Sequence, residues 1–159
     1  PHGFQSTEPA YPPFKFVNAR NLAYDKLMTK KELSNSNIAK EKIVAWNPQF
    51  LFLDLSTLQL GEKASGLHEL KTDPAYMSLD AVKDNQVFGL LPYNWYTKNY
   101  GSILANAYYV GKLLYPERFT DIEPAAKADE IYQFLVGEPV FTTMSGFFQN
   151  LAFTKVPLQ

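Results

Sequence analysis

Between residues 40 and 92 a short amphipathic helix runs straight into an apolar strand, and the pattern then repeats. The first unit is Lys40-Glu41-Lys42-Ile43-Val44-Ala45-Trp46-Asn47-Pro48 followed by Phe50-Leu51-Phe52-Leu53-Asp54. The second opens a helix over residues 73 to 83 with Asp73-Pro74, turns at Asp84-Asn85, and enters Gln86-Val87-Phe88-Gly89-Leu90-Leu91. Near-continuous apolar runs mark strands buried on both faces, and a helix between two of them is the connection that parallel strands require. Ligands of parallel sheets sit at the loops after the carboxyl ends of the strands. Function is therefore sought at Asp54 and in the aromatic loop Pro92-Tyr93-Asn94-Trp95-Tyr96.

Composition narrows the class. A chain of 159 residues with 46% hydrophobic and 19% charged side chains has enough apolar matter for one domain with a real core. A net charge of -1 and a pI near 6.2 leave no concentrated basic face for a phosphate backbone, so no nucleic-acid partner is expected. No apolar run reaches the roughly 20 residues of a membrane-spanning helix. The chain has no cysteine, which excludes disulfides, thiol catalysis and zinc-thiolate sites.

The fold class expected is α/β, a three-layer αβα Rossmann-like lobe with a mostly parallel central sheet. A start at Pro1, a polar turn-rich opening and only two clear strands read as a sheet lacking its first strand. Residues 1 to 17 form a cleft-side loop ordered by Phe4, Tyr11, Phe14 and Phe16; residues 18 to 150 form the α/β core; residues 151 to 159 are a tail. Within the core a helix is expected over 18 to 28, with Leu22 and Leu27 inward, then a polar loop over 29 to 37 that ends on Asn37 as an N-cap. Another helix is expected over 62 to 70. The helix from Lys98 to Tyr115 places Tyr100, Ile103, Leu104, Ala107, Val110, Gly111 and Leu114 on one face. The helix after Asp121 carries the stripe Ala128, Ile131, Tyr132 and Leu135 and stops at Gly137. A short helix is expected within 139 to 148.

Side chains that could do chemistry are few. His2 and His68 lie in unrelated segments without partners at metal-ligand spacing, and no nucleophile elbow, dinucleotide fingerprint or P-loop occurs. No catalytic residue, metal site or resident cofactor is assigned. Tyr93, Trp95 and Tyr96 offer broad contact area with a polar handle, suited either to a bulky, partly polar ligand or to capping the sheet. Tyr11 and His2 lie on the loop that could reach the same cleft. Asp54, at the end of an apolar strand, is either an acceptor that orders its loop or a ligand-side group, with loop ordering favoured. Glu41, in the first turn of its helix, reads as a solvated charge.

The run from Lys40 to Phe52 closely resembles a hallmark of the substrate-binding proteins of ABC importers for iron complexes and cobalamin. In that family a glutamate-bearing helix leads through a proline and an acidic residue into a strand; Gln49 stands here where the acidic residue is common. Similar matches are Leu79-Asp80-Ala81-Val82-Lys83-Asp84-Asn85-Gln86-Val87-Phe88, Leu114-Tyr115-Pro116-Glu117, and the opening His2-Gly3-Phe4-Gln5-Ser6-Thr7-Glu8-Pro9 with Tyr11-Pro12-Pro13-Phe14. They cover nearly the whole chain in matching order. The resemblance implies the carboxy-terminal lobe of a two-lobed, helix-hinged, non-enzymatic protein that grips a metal complex (a ferric siderophore, haem or a corrinoid) between its lobes. It implies an extracytoplasmic location, periplasmic or anchored to the outer face of the cytoplasmic membrane as a lipoprotein. Its partner is an ABC permease in the membrane, and Glu41 takes the position of the glutamate that docks on that permease. Isolated, such a lobe could form a strand-exchanged homodimer. The rival readings are a tetrapyrrole metal chelatase-like enzyme, for which only His2 is available, and a ligand-sensing lobe.

Overall fold

The two apolar runs lie side by side as parallel strands, Leu51–Asp54 against Val87–Leu90, in register from Leu51 opposite Val87 to Asp54 opposite Leu90. The computed structural model describes residues 3–61, 63–94 and 96–158. Along them come β1 (Ser6–Thr7), α1 (Pro12–Phe16), α2 (Lys30–Ser34), β2 (Ser36–Asn37), α3 (Lys40–Trp46) and β3 (Leu51–Asp54). A 3-10 segment at Leu55–Leu60 precedes α4 (Gly66–Thr72), α5 (Pro74–Met77), α6 (Asp80–Lys83) and β4 (Val87–Leu90). The chain continues through α7 (Tyr100–Leu114), a 3-10 turn at Pro116–Arg118, α8 (Pro124–Val136) and α9 (Phe141–Gly146).

Each face of the β3–β4 pair feeds a different apolar cluster, because side chains alternate along a strand. Leu53 and Val87 pack with Ile43 of α3, Leu70 of α4, Tyr76 of α5 and Leu79. Phe88 and Leu90 pack with Tyr109 and Val110 of α7, and Phe14 and Phe52 join them. A third cluster ties α7 to α8 and α9 through Ala105, Ala128, Tyr132 and Phe141.

The tail is part of the sheet. Gly89 N donates to Thr154 O, Phe153 N to Gly89 O and Val156 N to Val87 O, so the outer edge of β4 is covered. At Leu91 that role passes to one side chain: Asn106 Oδ1 accepts from Leu91 N at 3.1 Å and its Nδ2 donates to Leu91 O at 2.8 Å. Among the described residues no strand lies on the other edge of β3.

Several expectations are corrected. The segment 3 to 17 is not all loop, since β1 and α1 lie within it, and Phe16, expected to help order it, is exposed. No helix spans 18 to 28; Asn18 is left-handed at φ 54, and Asn21 folds the chain by donating to Glu8 O and Pro9 O and accepting from Ala23 N. Leu27, expected inward, is 83% exposed. The polar loop contains α2, opened by a capping box in which Thr29 and Glu32 satisfy each other's backbone. Asn37 lies in β2, paired antiparallel with β1, and the residue before α3 is Ala39. The helix expected over 62 to 70 starts later, at Gly66 behind Ser65, and Glu62 lies outside the described residues. The helix over 73 to 83 divides into α5 and α6. Tyr100 and Leu104 of α7 and Leu135 of α8 face outward, while polar Ser102 and Asn106 are fully buried. Ser102 is tolerated inside because its hydroxyl meets the Tyr132 hydroxyl at 2.8 Å.

Candidate functional site

Four side chains converge beyond the carboxyl ends of β3 and β4: Glu8, Tyr11, Asp54 and Tyr93. Tyr93 follows β4 directly, is 3% exposed, and donates its hydroxyl to the Glu8 carboxylate at 2.5 Å from Oε1. The Tyr11 ring packs against it at 5.8 Å between centroids, and the Tyr11 hydroxyl accepts from Asn106 Nδ2 at 3.0 Å. Asn106 thus fixes both the end of β4 and the loop that carries Glu8. Asp54 is solvent-exposed and caps the following 3-10 segment by accepting from Ser56 N at 2.9 Å, so it does order its loop.

The electrostatics follow from crowding. Desolvation raises the pKa of Glu8; the Tyr93 hydrogen bond and the charge of Lys98 oppose it, and Asp54 adds to it. Desolvation likewise raises Asp54 against the help of Ser56. It holds the Tyr11 phenol well above its ordinary range, with the Asp54 charge pushing the same way. Tyr93 is raised by desolvation and by its bond to Glu8. The cluster is therefore phenolic and acidic, with Lys98 and Lys15 close enough to act on Glu8.

The aromatic loop closes on itself. Asn99 N donates to Tyr93 O at 2.8 Å, Asn94 bridges Lys98, and Asn99 caps α7 by accepting from Ser102 N. Tyr96, at the tip, is 94% exposed. Trp95 and His2 lie outside the described residues. His68 sits half-buried on α4, away from this rim. Glu8 escaped the sequence reading because its partner is 85 residues away; the only local sign was an acid inside a proline- and aromatic-rich loop. Among the described residues no three His, Asp or Glu side chains are grouped to hold a metal ion.

Glu41 is exposed in the first turn of α3 and makes no hydrogen bond or ion pair with the described rim residues. Its flanking cations are engaged elsewhere: Lys40 pairs with Asp73 and lies over the Tyr76 ring, and Lys42 lies over Trp46.

No protein-family model matches the chain, and no curated protein does. Solved structures do. The molybdate periplasmic binding protein MolA of Haemophilus influenzae aligns with a TM-score of 0.60 at 18% identity, over 81% of this chain and 38% of its own. A periplasmic solute binding protein from Veillonella parvula DSM 2008 aligns with a TM-score of 0.59 at 15% identity, over 92% of this chain and 43% of its own. A TroA-like periplasmic binding protein, FepB, from Veillonella parvula gives 0.54 at 20% identity, over 76% and 36%. The likeness is one of fold. This chain has the fold of part of a periplasmic binding protein and spans less than half the length of each of these neighbours.

The buried phenols set an alkaline limit on stability. Tyr11, Tyr93 and Tyr109 all have pKa values raised by desolvation above the ordinary 10.0. Below pH 10 both states hold these protons and the contribution is whole. As pH climbs past 10 the unfolded chain sheds protons that the fold keeps, so stability falls, by about 1.4 kcal/mol per pH unit for each phenol. Urea midpoints measured from pH 8 to 11 should drop steeply above 10, and Tyr93→Phe should lessen the slope; a flat profile would contradict the burial of these hydroxyls.

Proposed function

We propose that the chain is the carboxy-terminal lobe of the solute-binding component of an ABC importer, outside the cytoplasmic membrane, gripping a metal complex against the rim at Tyr93, Trp95 and Tyr96. The observation that carries this reading is the fold shared with three periplasmic binding proteins. In this reading β3 and β4 belong to the central sheet of a three-layer αβα lobe whose missing first strand would lie along the uncovered edge of β3. Copies of the isolated lobe would exchange strands at that edge. No helix among the described residues is long and apolar enough to cross a membrane.

The rim chemistry narrows the solute. Glu8 and Asp54 put two carboxyl groups at the rim, which disfavours a bare oxyanion such as the molybdate bound by MolA. Exposed Tyr96 and the adjoining Trp95 favour a larger chelate with flat, partly polar faces, such as a ferric siderophore, haem or a corrinoid. Tyr93 and Tyr11 act from behind, holding Glu8 and the segment of residues 3 to 17 in place; His2 precedes that segment in the sequence and is offered as a further ligand contact. Glu41, exposed in the first turn of α3, meets the permease without taking part in solute binding.

Titration of the full-length protein, both lobes present, with a ferric siderophore, haemin, a corrinoid and molybdate tests this. Saturable quenching of tryptophan emission is expected with a chelate, weakened in Tyr96→Ala, and none with molybdate. Flat curves for every chelate, or tight binding of molybdate alone, would overturn the assignment of the solute.

A further inference from the structure

Two consecutive turns lead the chain toward α2. In the first, Tyr24 N donates to Asn21 O at 3.1 Å. In the second, Met28 N donates to Asp25 O at 3.1 Å, which puts Lys26 and Leu27 at the two central positions. The second turn is pinned from within, because the Asp25 carboxylate accepts from Leu27 N at 2.9 Å. Leu27 is therefore held out by a formed turn, 83% exposed, with exposed Tyr24 ahead of it. Thr29 and Glu32 then cap α2, and Lys30 and Lys31 stand exposed in its first turn. Tyr24, Leu27 and Met28 share an open hollow of about 350 Å³ with Lys42 and Trp46 of α3.

Charge selects what covers this leucine. Residues 15 to 32 hold Lys15, Arg20, Lys26, Lys30 and Lys31 against Asp25 and Glu32, five cations to two acids and a net +3. The whole chain carries -1, so the rest of it carries -4. Both acids are bonded to backbone, Asp25 to Leu27 N and Glu32 to Thr29 N at 2.8 Å. Lys26, Lys30 and Lys31 make no ion pair among the described residues. A purely apolar protein face would leave these ammonium groups unmatched. An anionic lipid surface meets both parts, its phosphates taking the lysines and its acyl boundary the leucine. The same surface repels the acidic remainder of the chain and admits this end.

We infer that the turn from Asp25 to Met28 rests on the outer face of the membrane, with Leu27 in the headgroup boundary and Lys26, Lys30 and Lys31 against anionic lipid phosphates. The inference rests on the proposed importer role for its location. In that reading Glu41 of α3 meets a permease in the membrane, and α3 shares the hollow with this turn. The helix is seven residues long, about 10 Å, so docking carries the turn to the lipid beside the permease. One leucine and three lysines give weak, reversible contact, which orients a chain already near the membrane rather than anchoring it.

Flotation of the full-length protein with vesicles tests this, comparing phosphatidylglycerol and phosphatidylcholine in equal parts with phosphatidylcholine alone. The readout is the ratio of the two affinities, which an acyl anchor leaves unchanged. Binding should favour the anionic vesicles and fall as salt rises. Lys26→Gln, Lys30→Gln and Lys31→Gln should each weaken it about five-fold and flatten the salt slope. Leu27→Ser should weaken it about ten-fold with the slope unchanged. All four residues are exposed, so the fold is kept and chelate binding should match the parent. Parent-like vesicle affinity in the lysine variants, or in Leu27→Ser, would overturn the lipid contact. Weaker docking of these variants on the permease in phosphatidylcholine nanodiscs, with no preference for anionic vesicles, would assign the turn to an acidic protein surface instead. A protein that binds anionic vesicles but no chelate would keep this contact and overturn the solute reading. One that binds chelate and prefers neither vesicle would do the reverse.

Discussion

Asn106→Leu is expected to destabilise the fold by about 3 kcal/mol, more than the loss of a single hydrogen bond. The side chain is fully buried in α7 and makes three bonds: two to the backbone of Leu91 and one to the Tyr11 hydroxyl. Leucine matches its volume closely but leaves Leu91 N, Leu91 O and the phenol without partners, and a buried polar group stripped of its bond costs about 1–3 kcal/mol. Urea denaturation at neutral pH measures the loss. A change under about 1 kcal/mol would mean that water or rearrangement satisfies these groups. The rim should feel the change as well, because Tyr11 and the end of β4 lose their common tether.

Gly89→Val should be comparably severe for a steric reason. A Cβ at residue 89 would stand 2.3 Å from Leu151 O and 3.1 Å from Leu55 Cδ2. The first contact is with backbone, which cannot rotate away, so either β4 shifts or the tail leaves its edge. Overpacking of this kind costs about 1–3 kcal/mol, and the hydrogen bonds Gly89 N to Thr154 O and Phe153 N to Gly89 O are lost with it. The expected signature is early hydrogen exchange at residues 153 to 156 together with a lowered urea midpoint. Gly146→Ala is the control: the Cβ there would meet only Asn150 Oδ1 at 4.0 Å, and the helix α9 should tolerate it. Equal behaviour of the two variants would show that the approach of the tail to β4 is not tight.

The sequence was clear where one residue carries the signal. Asp73-Pro74 is the cap and first residue of α5, Gly137 ends α8 in the left-handed conformation, and the apolar runs are β3 and β4. It was unclear where periodicity competed with side-chain-to-backbone bonds. Leu22 and Leu27 hinted at a helix, yet Asn18, Asn21 and Asp25 are turn formers, and the last two bond their own neighbourhood. Thr29 and Glu32 spelled a capping box in a stretch read as loop because Leu33 is its one apolar residue. The rim was half visible. Local sequence pointed to Tyr93 and Asp54, but the grouping with Glu8 and Tyr11 depends on residues 3 to 17 folding back over the strand ends. Asn106 gave no sign at all, since a polar residue on a long helix is ordinarily placed in water.

Among the described residues one edge of the β3–β4 pair is covered and the other carries no strand, which makes the sheet directional. The tail and the Asn106 amide together terminate it beyond β4, so any widening proceeds from β3 alone. Tyr93 and its loop stand on the closed side of the pair, so a strand added along β3 would leave them in place.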